Sequence, residues 1–393
     1  MIKPKVNLSN KKVIIVTHRS NMPSIPGGDL KKFLLTENCN ELIYIAHPLL
    51  LLQESYKFSS EFEYFKKSKQ LKSKAYHWLL PEPLSYVKDS IYTLLWILRT
   101  RQTFDIYFGI NNLNALNGLL LKKIGRVKKV VYYTIDLYPQ RFGNKIINWI
   151  YHKVDRLCVE FCDETWNVSL YLSKYRAKKG AIGKVYSRQY NVPIGIWFNQ
   201  VKRVPTNKIN RNKIVFKGHL MPFRGVDLAI KAMPLIIKKI PNIRLEIIGG
   251  GEQLKELQQL AYNLRVSKHV KFYGFVSNEG KAEKLISDAV VGLAPYNSSL
   301  ANEQIKNADP AKIKDYLSLG IPVITTDAII SAKEISKAKC GIIIEFTPES
   351  LANAVYKLVS SEKLRLKYRK NSLQYINQFD WNYLFTKNIS RLL

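Results

Sequence analysis

The chain has 393 residues, which is enough for two domains with separate hydrophobic cores. A hydrophobic content of 46% and a charged content of 23% are typical of a folded globular protein and exclude a largely disordered one. The 62 basic residues outnumber the 30 acidic residues, and the net charge is +32. Because this charge is spread over both halves, it favours anionic substrates or surroundings over a dedicated nucleic-acid module. A generally lysine-rich composition explains the excess equally well.

The four cysteines, Cys39, Cys158, Cys162 and Cys340, have neither the density of a disulfide framework nor the spacing of a zinc site. We therefore expect free thiols in a reducing compartment. No secretory leader is visible, and the longest apolar runs are shorter than a membrane span. We expect a cytoplasmic protein, with peripheral contact to a membrane left open.

Short apolar runs alternate with helix-length segments through the first half of the chain. The predicted strands are 13–17, 42–46, 104–108, 130–135 and 157–160, and the predicted helices include 85–101, 113–124 and 142–153. This alternation predicts a parallel sheet with helices on both faces. The lysine-rich segment 56–76 does not fit the pattern, and we predict a surface excursion there.

A polar stretch at 201–212 is the best candidate linker, and the alternation restarts after it. The predicted strands are 214–216, 243–248, 270–273, 289–294, 321–325 and 341–344, separated by helices. The chain is therefore predicted to be an α/β protein with two doubly wound, Rossmann-like domains at 1–203 and 204–375 that face a cleft. Ligands in such domains bind at the carboxyl ends of the strands.

The most informative stretch is ADPAKIKDYLSLGIPVITTD, from Ala308 to Asp327. Asp309 is a good N-cap and Pro310 suits the first helical position, so a helix is predicted to begin here. The first N–H groups of such a helix point toward anions, and these belong to Ala311, Lys312 and Ile313.

Two charged side chains extend this anion site. Lys312 is expected to add a mobile positive charge, and Asp315, one turn later, can accept hydrogen bonds from hydroxyl groups. A cation, an anion cradle and a hydroxyl acceptor within one helical turn suit a phosphorylated sugar or a nucleotide.

Three other loops follow predicted strands and carry glycine. The loop after the strand at 214–216 also holds Arg224, whose guanidinium fork suits phosphate. The glycines that would let a ligand approach the backbone are Gly27, Gly28, Gly218, Gly249 and Gly250. Each loop taken alone is better explained as an ordinary turn.

Four segments, GHLMPFRGVDLAIKAM, LEIIGGGEQLKELQQLA, VKFYGFVS and DPAKIKDYLSLGIPVITTD, occur in the order and spacing of a known family. They resemble the donor half of retaining GT-B glycosyltransferases of the family 4 group, the glycosyl transferases group 1. The resemblance covers about 210–375 well. It extends more loosely to IPGGDLKKF, YYTIDLYPQRF and WNVSLYLSKYR. It also implies that 376–393, with FDW and the closing helix, crosses back to the first domain.

The resemblance implies roles for residues of the second domain. Arg224 would clamp the donor diphosphate together with Lys312, while His219 stands where the family usually has arginine. Asp315 would hold the ribose hydroxyls, and Asn307 replaces the first acid of the family's pair. Backbone groups of Phe275 and Val276 would contact the base.

The resemblance implies less about the acceptor side. Asp136 lies where the family often has a histidine or an acid, and it could accept the proton of the acceptor hydroxyl. Capping the turn before Pro139 is an equally good role for it. His18, at the end of the first strand, and the Gly27 and Gly28 loop would contact acceptor or phosphate, or be structural.

The implied reaction is hexosyl transfer from a UDP- or GDP-sugar to a glycan or lipid-linked acceptor, as in polysaccharide biosynthesis, with retention at the anomeric carbon. Such a reaction needs no metal and no further cofactor, because cations and a helix end neutralise the leaving diphosphate. Two alternatives stay open: a weakened scaffold of the same fold that binds anionic polymers or membranes, and a nucleotide-sugar epimerase or hydrolase.

A membrane contact is a further expectation. The run Tyr86–Leu98 is amphipathic, and lysines cluster at 66–74 and 122–129. Together they could contact anionic lipid headgroups. A core helix beside solvated lysines is the alternative.

Overall fold

The computed structural model describes residues 6–19, 26–48, 59–78, 80–180, 182–301, 306 and 310–393. Contacts between residues divide the chain into two compact units. The first comprises Met1–Ile194 with Trp381–Leu393, and the second comprises Gly195–Asp380. The division thus falls at 194–195, ahead of the predicted limit at 203–204, and the closing segment joins the first unit from residue 381.

The first unit contains an eight-stranded sheet in the order β4-β3-β2-β1-β5-β6-β7-β8. Its strands are β1 Lys12–Arg19, β2 Glu41–Pro48, β3 Ser60–Lys66, β4 Lys69–Tyr76, β5 Phe104–Ile110, β6 Val127–Thr134, β7 Glu164–Asn167 and β8 Gln189–Asn191. Its helices are α1 Pro26–Thr36, α2 Glu82–Leu98, α3 Asn112–Lys123, α4 Lys145–Phe161, α5 Leu170–Lys178 and α6 Lys184–Ser187. All pairings are parallel except β2 with β3 and β3 with β4. The strand order reverses between β1 and β5, which is where ligands bind in such sheets.

The second unit contains a fully parallel six-stranded sheet in the order β11-β10-β9-β12-β13-β14. Its strands are β9 Asn210–Lys217, β10 Arg244–Ile248, β11 Val270–Gly274, β12 Ala289–Ala294, β13 Val323–Thr326 and β14 Gly341–Ile344. Its helices are α7 Val226–Lys239, α8 Leu254–Asn263, α9 Glu279–Ile286, α10 Ala311–Ser318, α11 Ala332–Lys337, α12 Pro348–Ser360 and α13 Glu362–Ile376. The order reverses between β9 and β12.

The last helix, α14 Trp381–Ile389, belongs to the first unit. Its Phe385 ring lies 5.4 Å from the ring of Phe33 in α1 and 4.5 Å from the ring of Trp381. These contacts bury aromatic surface that would otherwise face water.

The α/β class and most predicted elements are confirmed, but three local predictions are wrong. The segment 157–160 lies inside α4, and the strand follows it as β7. The part of 56–76 that is described forms the antiparallel hairpin of β3 and β4. Gly27 and Gly28 lie in the first turn of α1 instead of a loop.

In the described part of the chain, no helix has both the length and the apolar character needed to cross a membrane.

Candidate functional site

The carboxyl ends of three neighbouring strands in the second unit are bonded into one surface. The Gly218 N–H, after β9, donates to the Ile248 carbonyl at the end of β10 over 2.9 Å. The Gly249 N–H donates to the Gly274 carbonyl at the end of β11 over 2.9 Å. The Leu220 N–H donates to the Gly250 carbonyl, also over 2.9 Å. These hydrogen bonds hold together the loops in which the sequence predicts a ligand site.

Close packing explains the glycines in these loops. Gly249 has a φ of +157°, and a Cβ there would lie 1.9 Å from the Gly218 carbonyl oxygen. Gly218 has a φ of +140°. A Cβ on Gly250 would lie 3.3 Å from the Cβ of Phe275. The strand ends therefore lie too close together for side chains at these positions. Glycine, which has no Cβ, allows this approach.

Arg224 ends a short 3-10 turn, Pro222–Arg224, immediately before α7. The next residue, Gly225, has a φ of +68°, and a Cβ there would lie 1.8 Å from the Pro295 carbonyl oxygen. This close contact places the Arg224 turn beside the end of β12, at the reversal of strand order. The Nε atom of Arg224 is buried and has no hydrogen-bond partner among the described residues.

Lys312 in α10 is also buried, with 6% of its surface exposed. Its Nζ lies 4.0 Å from the centre of the Phe216 ring and 5.2 Å from that of Tyr296. Within the described ranges this Nζ has no hydrogen-bond partner. The expectation of a mobile surface charge is therefore wrong, because two aromatic rings enclose the ammonium group.

Lys312 and Arg224 lie in the same electrostatic environment. Burial, and then the Arg224 charge, lower the pKa of Lys312 well below its ordinary value, while Asp315 opposes the change. Burial also raises the pKa of Tyr296, while the same Arg224 charge lowers it. Lys312 Nζ and Arg224 Nε are buried without hydrogen-bond partners among the described residues, which is unfavourable until an anion joins them. The site is therefore suited to a compact anion such as a diphosphate.

The start of α10 differs from the prediction. Pro310 is the N-cap rather than the first helical residue, and it makes no side-chain cap bond. Asp309 and Asn307 lie outside the described residues. The Ile313 N–H donates to the Pro310 carbonyl over 3.2 Å, so it is not directed to a ligand as predicted. Ala311 is exposed at the helix start.

Asp315 faces a basic residue that the sequence interpretation did not select. Its Oδ2 accepts a hydrogen bond from Lys217 Nζ at 3.0 Å. The Lys217 N–H donates to the Tyr316 hydroxyl over 2.6 Å, which ties the end of β9 to α10. Lys217 directly follows the apolar run of its strand, a position that identifies it as a candidate.

Three further predicted residues lie at or near the same edge. His219 is exposed in the loop after β9. Phe275, after β11, has 66% of its surface exposed, and Val276 packs partly into the core beside it. The structure brings Phe275 against Gly250, as the Cβ distance above shows. An exposed aromatic ring at the edge of an anion site suits contact with a base.

The remaining candidate residues lie in the first unit, at the carboxyl edge of its sheet. His18 is the next-to-last residue of β1, and its Nε2 lies 3.3 Å from Asn114 Nδ2. Burial, and then the Arg141 charge, lower the pKa of His18 to about 4, so its ring is neutral at pH 7. Asp136 follows β6, and burial raises the pKa of its carboxyl group while the Arg141 charge opposes this.

The two glycines of α1 are not equivalent. A Cβ on Gly27 would lie 2.5 Å from Thr17 Oγ1 in β1, so glycine is required there for packing. A Cβ on Gly28 would contact nothing within 4 Å in the described structure. Gly27 therefore has a structural role, and Gly28 is the open position of the pair.

Residues 199–375 match the family described as glycosyl transferases group 1. A GDP-mannose-dependent alpha-(1-6)-phosphatidylinositol monomannoside mannosyltransferase of Mycobacterium tuberculosis is 24% identical over 226 residues, 54% of this chain and 58% of that protein. The lipopolysaccharide glucosyltransferase WaaG of Escherichia coli is 25% identical over 175 residues, 44% of each chain. The matched segments thus span about half the length of these curated relatives.

The fold has close counterparts among solved structures. HepE of Anabaena, solved in complex with UDP, aligns over 97% of this chain and 98% of its own, with a TM-score of 0.69 and 15% identity. A structure of WaaG, described as a glycosyltransferase involved in lipopolysaccharide biosynthesis, aligns with a TM-score of 0.62 and 16% identity, over 97% and 99% of the two chains. The family model thus matches residues 199–375 of the chain, and the fold of the chain is the GT-B fold of these solved glycosyltransferases.

Proposed function

We propose that this protein is a glycosyltransferase that transfers a sugar from a nucleoside-diphosphate sugar to a hydroxyl group of a glycan or lipid-linked acceptor. The observation that carries the proposal is a pair of buried nitrogen atoms, Arg224 Nε and Lys312 Nζ, at the strand reversal of the second sheet, neither of which has a hydrogen-bond partner among the described residues. A diphosphate supplies the negative charge and the acceptor atoms that these groups lack.

The donor would lie along the edge of the second sheet. The diphosphate would contact Arg224 and Lys312, and the ribose hydroxyls would donate to Asp315, which already accepts from Lys217. The base would lie near Phe275 and Val276. Both UDP and GDP sugars are candidates, because HepE was solved with UDP and the mycobacterial relative is described as GDP-mannose-dependent.

The proposed reaction retains the configuration at the anomeric carbon. The bond from that carbon to the diphosphate oxygen breaks, and the acceptor oxygen bonds to the same face. The acceptor proton passes to the leaving phosphate oxygen, with Asp136 as a second candidate base. Arg224 and Lys312 would stabilise the negative charge on the leaving group, a contribution that is worth most in a desolvated site. We propose that this needs no metal ion.

Titration calorimetry with UDP, GDP and their sugars tests the donor site. Lys312→Met and Arg224→Met should each weaken diphosphate binding by roughly 1.5–3 kcal/mol, the usual contribution of a hydrogen bond to a charged group. Lys314→Met is the matched control, because Lys314 is buried in the same helix with its Nζ 4.4 Å from the Phe379 ring. The control should leave the affinity unchanged.

Equal losses in all three variants, or none, would contradict the assigned clamp. An assay for sugar release with and without acceptor glycans and lipid-linked sugars separates a transferase from a hydrolase or epimerase. An excess of a metal chelator should leave the rate unaltered, and a loss of activity that Mg²⁺ or Mn²⁺ restores would refute the metal-free reaction.

A further inference from the structure

From Leu84 to Leu95, helix α2 exposes apolar side chains and buries polar ones, which is the reverse of the usual arrangement. The polar residues that face the interior of the first unit have at most 8% of their surface exposed, and they are Ser85, Lys88, Asp89 and Thr93. The apolar residues that face outward are 43–58% exposed, and they are Leu84, Val87, Ile91 and Leu95. A helix on the surface of a soluble domain normally shows the opposite pattern.

Hydrogen bonds fix this orientation of α2. Lys88 Nζ lies 3.2 Å from Asp89 Oδ1 and donates to the Trp78 carbonyl over 2.9 Å. The Ser60 hydroxyl donates to Asp89 over 3.2 Å. The buried ring of His47 lies 2.8 Å from Thr93 Oγ1. Because these polar groups satisfy one another inside the unit, rotating α2 to bury its apolar residues would leave them unpaired.

The outward residues form one continuous stripe. Their spacing of three and then four residues places them on one face along about 16 Å of helix. Between Leu84 and Leu95 every exposed residue of the helix is apolar. An apolar stripe of this size at the surface marks a site of interaction.

Basic residues flank the stripe. Tyr76, at the end of β4, lies with its ring 5.6 Å from that of Tyr92 and 5.9 Å from that of Trp96, which places the hairpin beside α2. Lys72 and Lys74 alternate with Tyr76 on the same face of β4, and both are exposed. Arg99, also exposed, follows the other end of α2.

A neighbouring helix of the first unit also exposes apolar side chains beside lysines. α3 contacts both α2 and α4, and residues of the three helices share one core. The Arg141 guanidinium, just ahead of α4, donates to Glu82 at the start of α2 over 2.9 Å. α4 exposes Ile146, Trp149 and Ile150 together with Lys145 and Lys153. Apolar side chains bordered by lysines therefore occur on two helices of the first unit.

We propose that the outer face of α2, with its flanking lysines, docks on an anionic lipid bilayer. Leu84, Val87, Ile91, Leu95 and the exposed Trp78 would enter the interfacial region, and Lys72 and Lys74 would contact headgroups. A second copy of the chain is a poorer occupant, since a symmetric contact would bring these lysines together in a protein of net charge +32. The inference concerns a surface of the first unit, and it stands whether or not the donor site acts as proposed.

Vesicle sedimentation with the full chain tests this docking. The protein should pellet with vesicles of phosphatidylcholine and phosphatidylglycerol and remain in solution with phosphatidylcholine alone. Val87→Glu/Ile91→Glu should lower the partition coefficient at least tenfold, because two charges then enter the interface. Lys72→Ala/Lys74→Ala should lower it roughly fivefold for each lysine.

Matched variants in the second unit control for charge. Tyr262→Glu/Ile330→Glu makes the same change at exposed apolar positions, and Lys255→Ala/Lys268→Ala removes two exposed lysines. Both should bind vesicles like the wild type, and all variants should keep the wild-type melting temperature. The proposal is overturned if the wild type does not pellet with anionic vesicles or if Val87→Glu/Ile91→Glu pellets normally. A dimer in sedimentation velocity that this variant dissociates would assign the face to a second copy.

Discussion

The carboxyl edges of the two sheets each bury a basic side chain, in opposite surroundings. In the first unit Arg176 donates to Asp155 Oδ1 and to Asn167 Oδ1, both over 2.6 Å, and to Thr134 Oγ1 over 3.0 Å. Asp155 raises the pKa of Arg176 above its ordinary value although burial opposes this. In the second unit Lys312 has aromatic neighbours, and its pKa is lowered.

This difference separates a structural cation from one that is available to a ligand. The hydrogen bonds of Arg176 join the ends of β6 and β7 to α4 and α5, and they leave its charge compensated inside the protein. Lys312 contributes little to holding its unit together, because its desolvation is not repaid by a hydrogen bond among the described residues. The same fold thus supports an edge with its charges already paired and an edge that needs an anion.

The largest expected effect is on the paired edge. Arg176→Met should lower the free energy of unfolding by about 3–5 kcal/mol, because it leaves the buried Asp155 carboxylate without its cation. Urea unfolding followed by circular dichroism measures this loss. Nucleotide affinity, measured where the variant is folded, should be unchanged.

Lys312→Met provides the comparison. It removes a desolvated amino group without orphaning a carboxylate, so the free energy of unfolding should stay within about 1 kcal/mol of the wild type or rise. If Lys312→Met destabilised the protein as much as Arg176→Met does, the distinction between the two edges would be lost.

Most of the fold could be predicted from the sequence where apolar runs dominate. The apolar run at 289–294 predicts a strand, and the structure has a strand with the same bounds whose side chains are all buried. The strand predicted at 157–160 was wrong because Cys158 and Val159 are buried on a helix whose neighbours are exposed. The true strand β7 lacks a β-branched run and depends on tertiary contacts, such as the ion pair of Glu164 with Arg391 at 3.1 Å.

The candidate site residues could be selected from the sequence, but the environment of their side chains could not. Lys312 and Asp315 lie in one chain segment, and Arg224 lies near a strand end. Sequence patterns identify both kinds of position. The burial of Lys312 arises from Phe216 and Tyr296, which are distant in sequence, and such an enclosure follows only from the packing of three elements. The role of Gly27 in packing against Thr17 has the same origin.

His18, at the carboxyl edge of the first sheet, should make the stability of the folded protein sensitive to acid. Its pKa is about 4 in the folded protein, below its ordinary value of 6.5, so between these values the unfolded chain binds a proton that the folded chain does not. Stability should therefore fall as the pH falls through this range, by roughly 2 kcal/mol from His18 between about pH 7 and pH 5. Urea unfolding at several pH values measures the slope.

His18→Gln should flatten this slope. Burial lowers the pKa of His47 in both proteins, and the His18 charge adds to this in the wild type, so the difference between the two slopes reports His18 together with its effect on His47. Identical slopes would show that His18 is not held neutral in the folded protein.

The smallest expected effect is a dependence of diphosphate affinity on pH at the carboxyl edge of the second sheet. The pKa of Lys312 is depressed by burial and by Arg224, and a bound diphosphate would restore its proton. Binding should therefore take up a fraction of a proton, and affinity should fall as the pH rises, by at most about tenfold per pH unit for one group. Titration calorimetry in Tris and in HEPES at about pH 8, above the second ionisation of a phosphate, measures this uptake from the difference in enthalpy.

Lys312→Met should abolish the proton uptake, whereas Lys314→Met should retain it. The contrast distinguishes a lysine that is protonated by its ligand from one that merely lies in a positive surface, since a surface lysine is charged before and after binding. Uptake that persists in Lys312→Met would assign the proton to another group and would remove the main difference between the two edges, because Lys312 would then be charged without an anion, as Arg176 is.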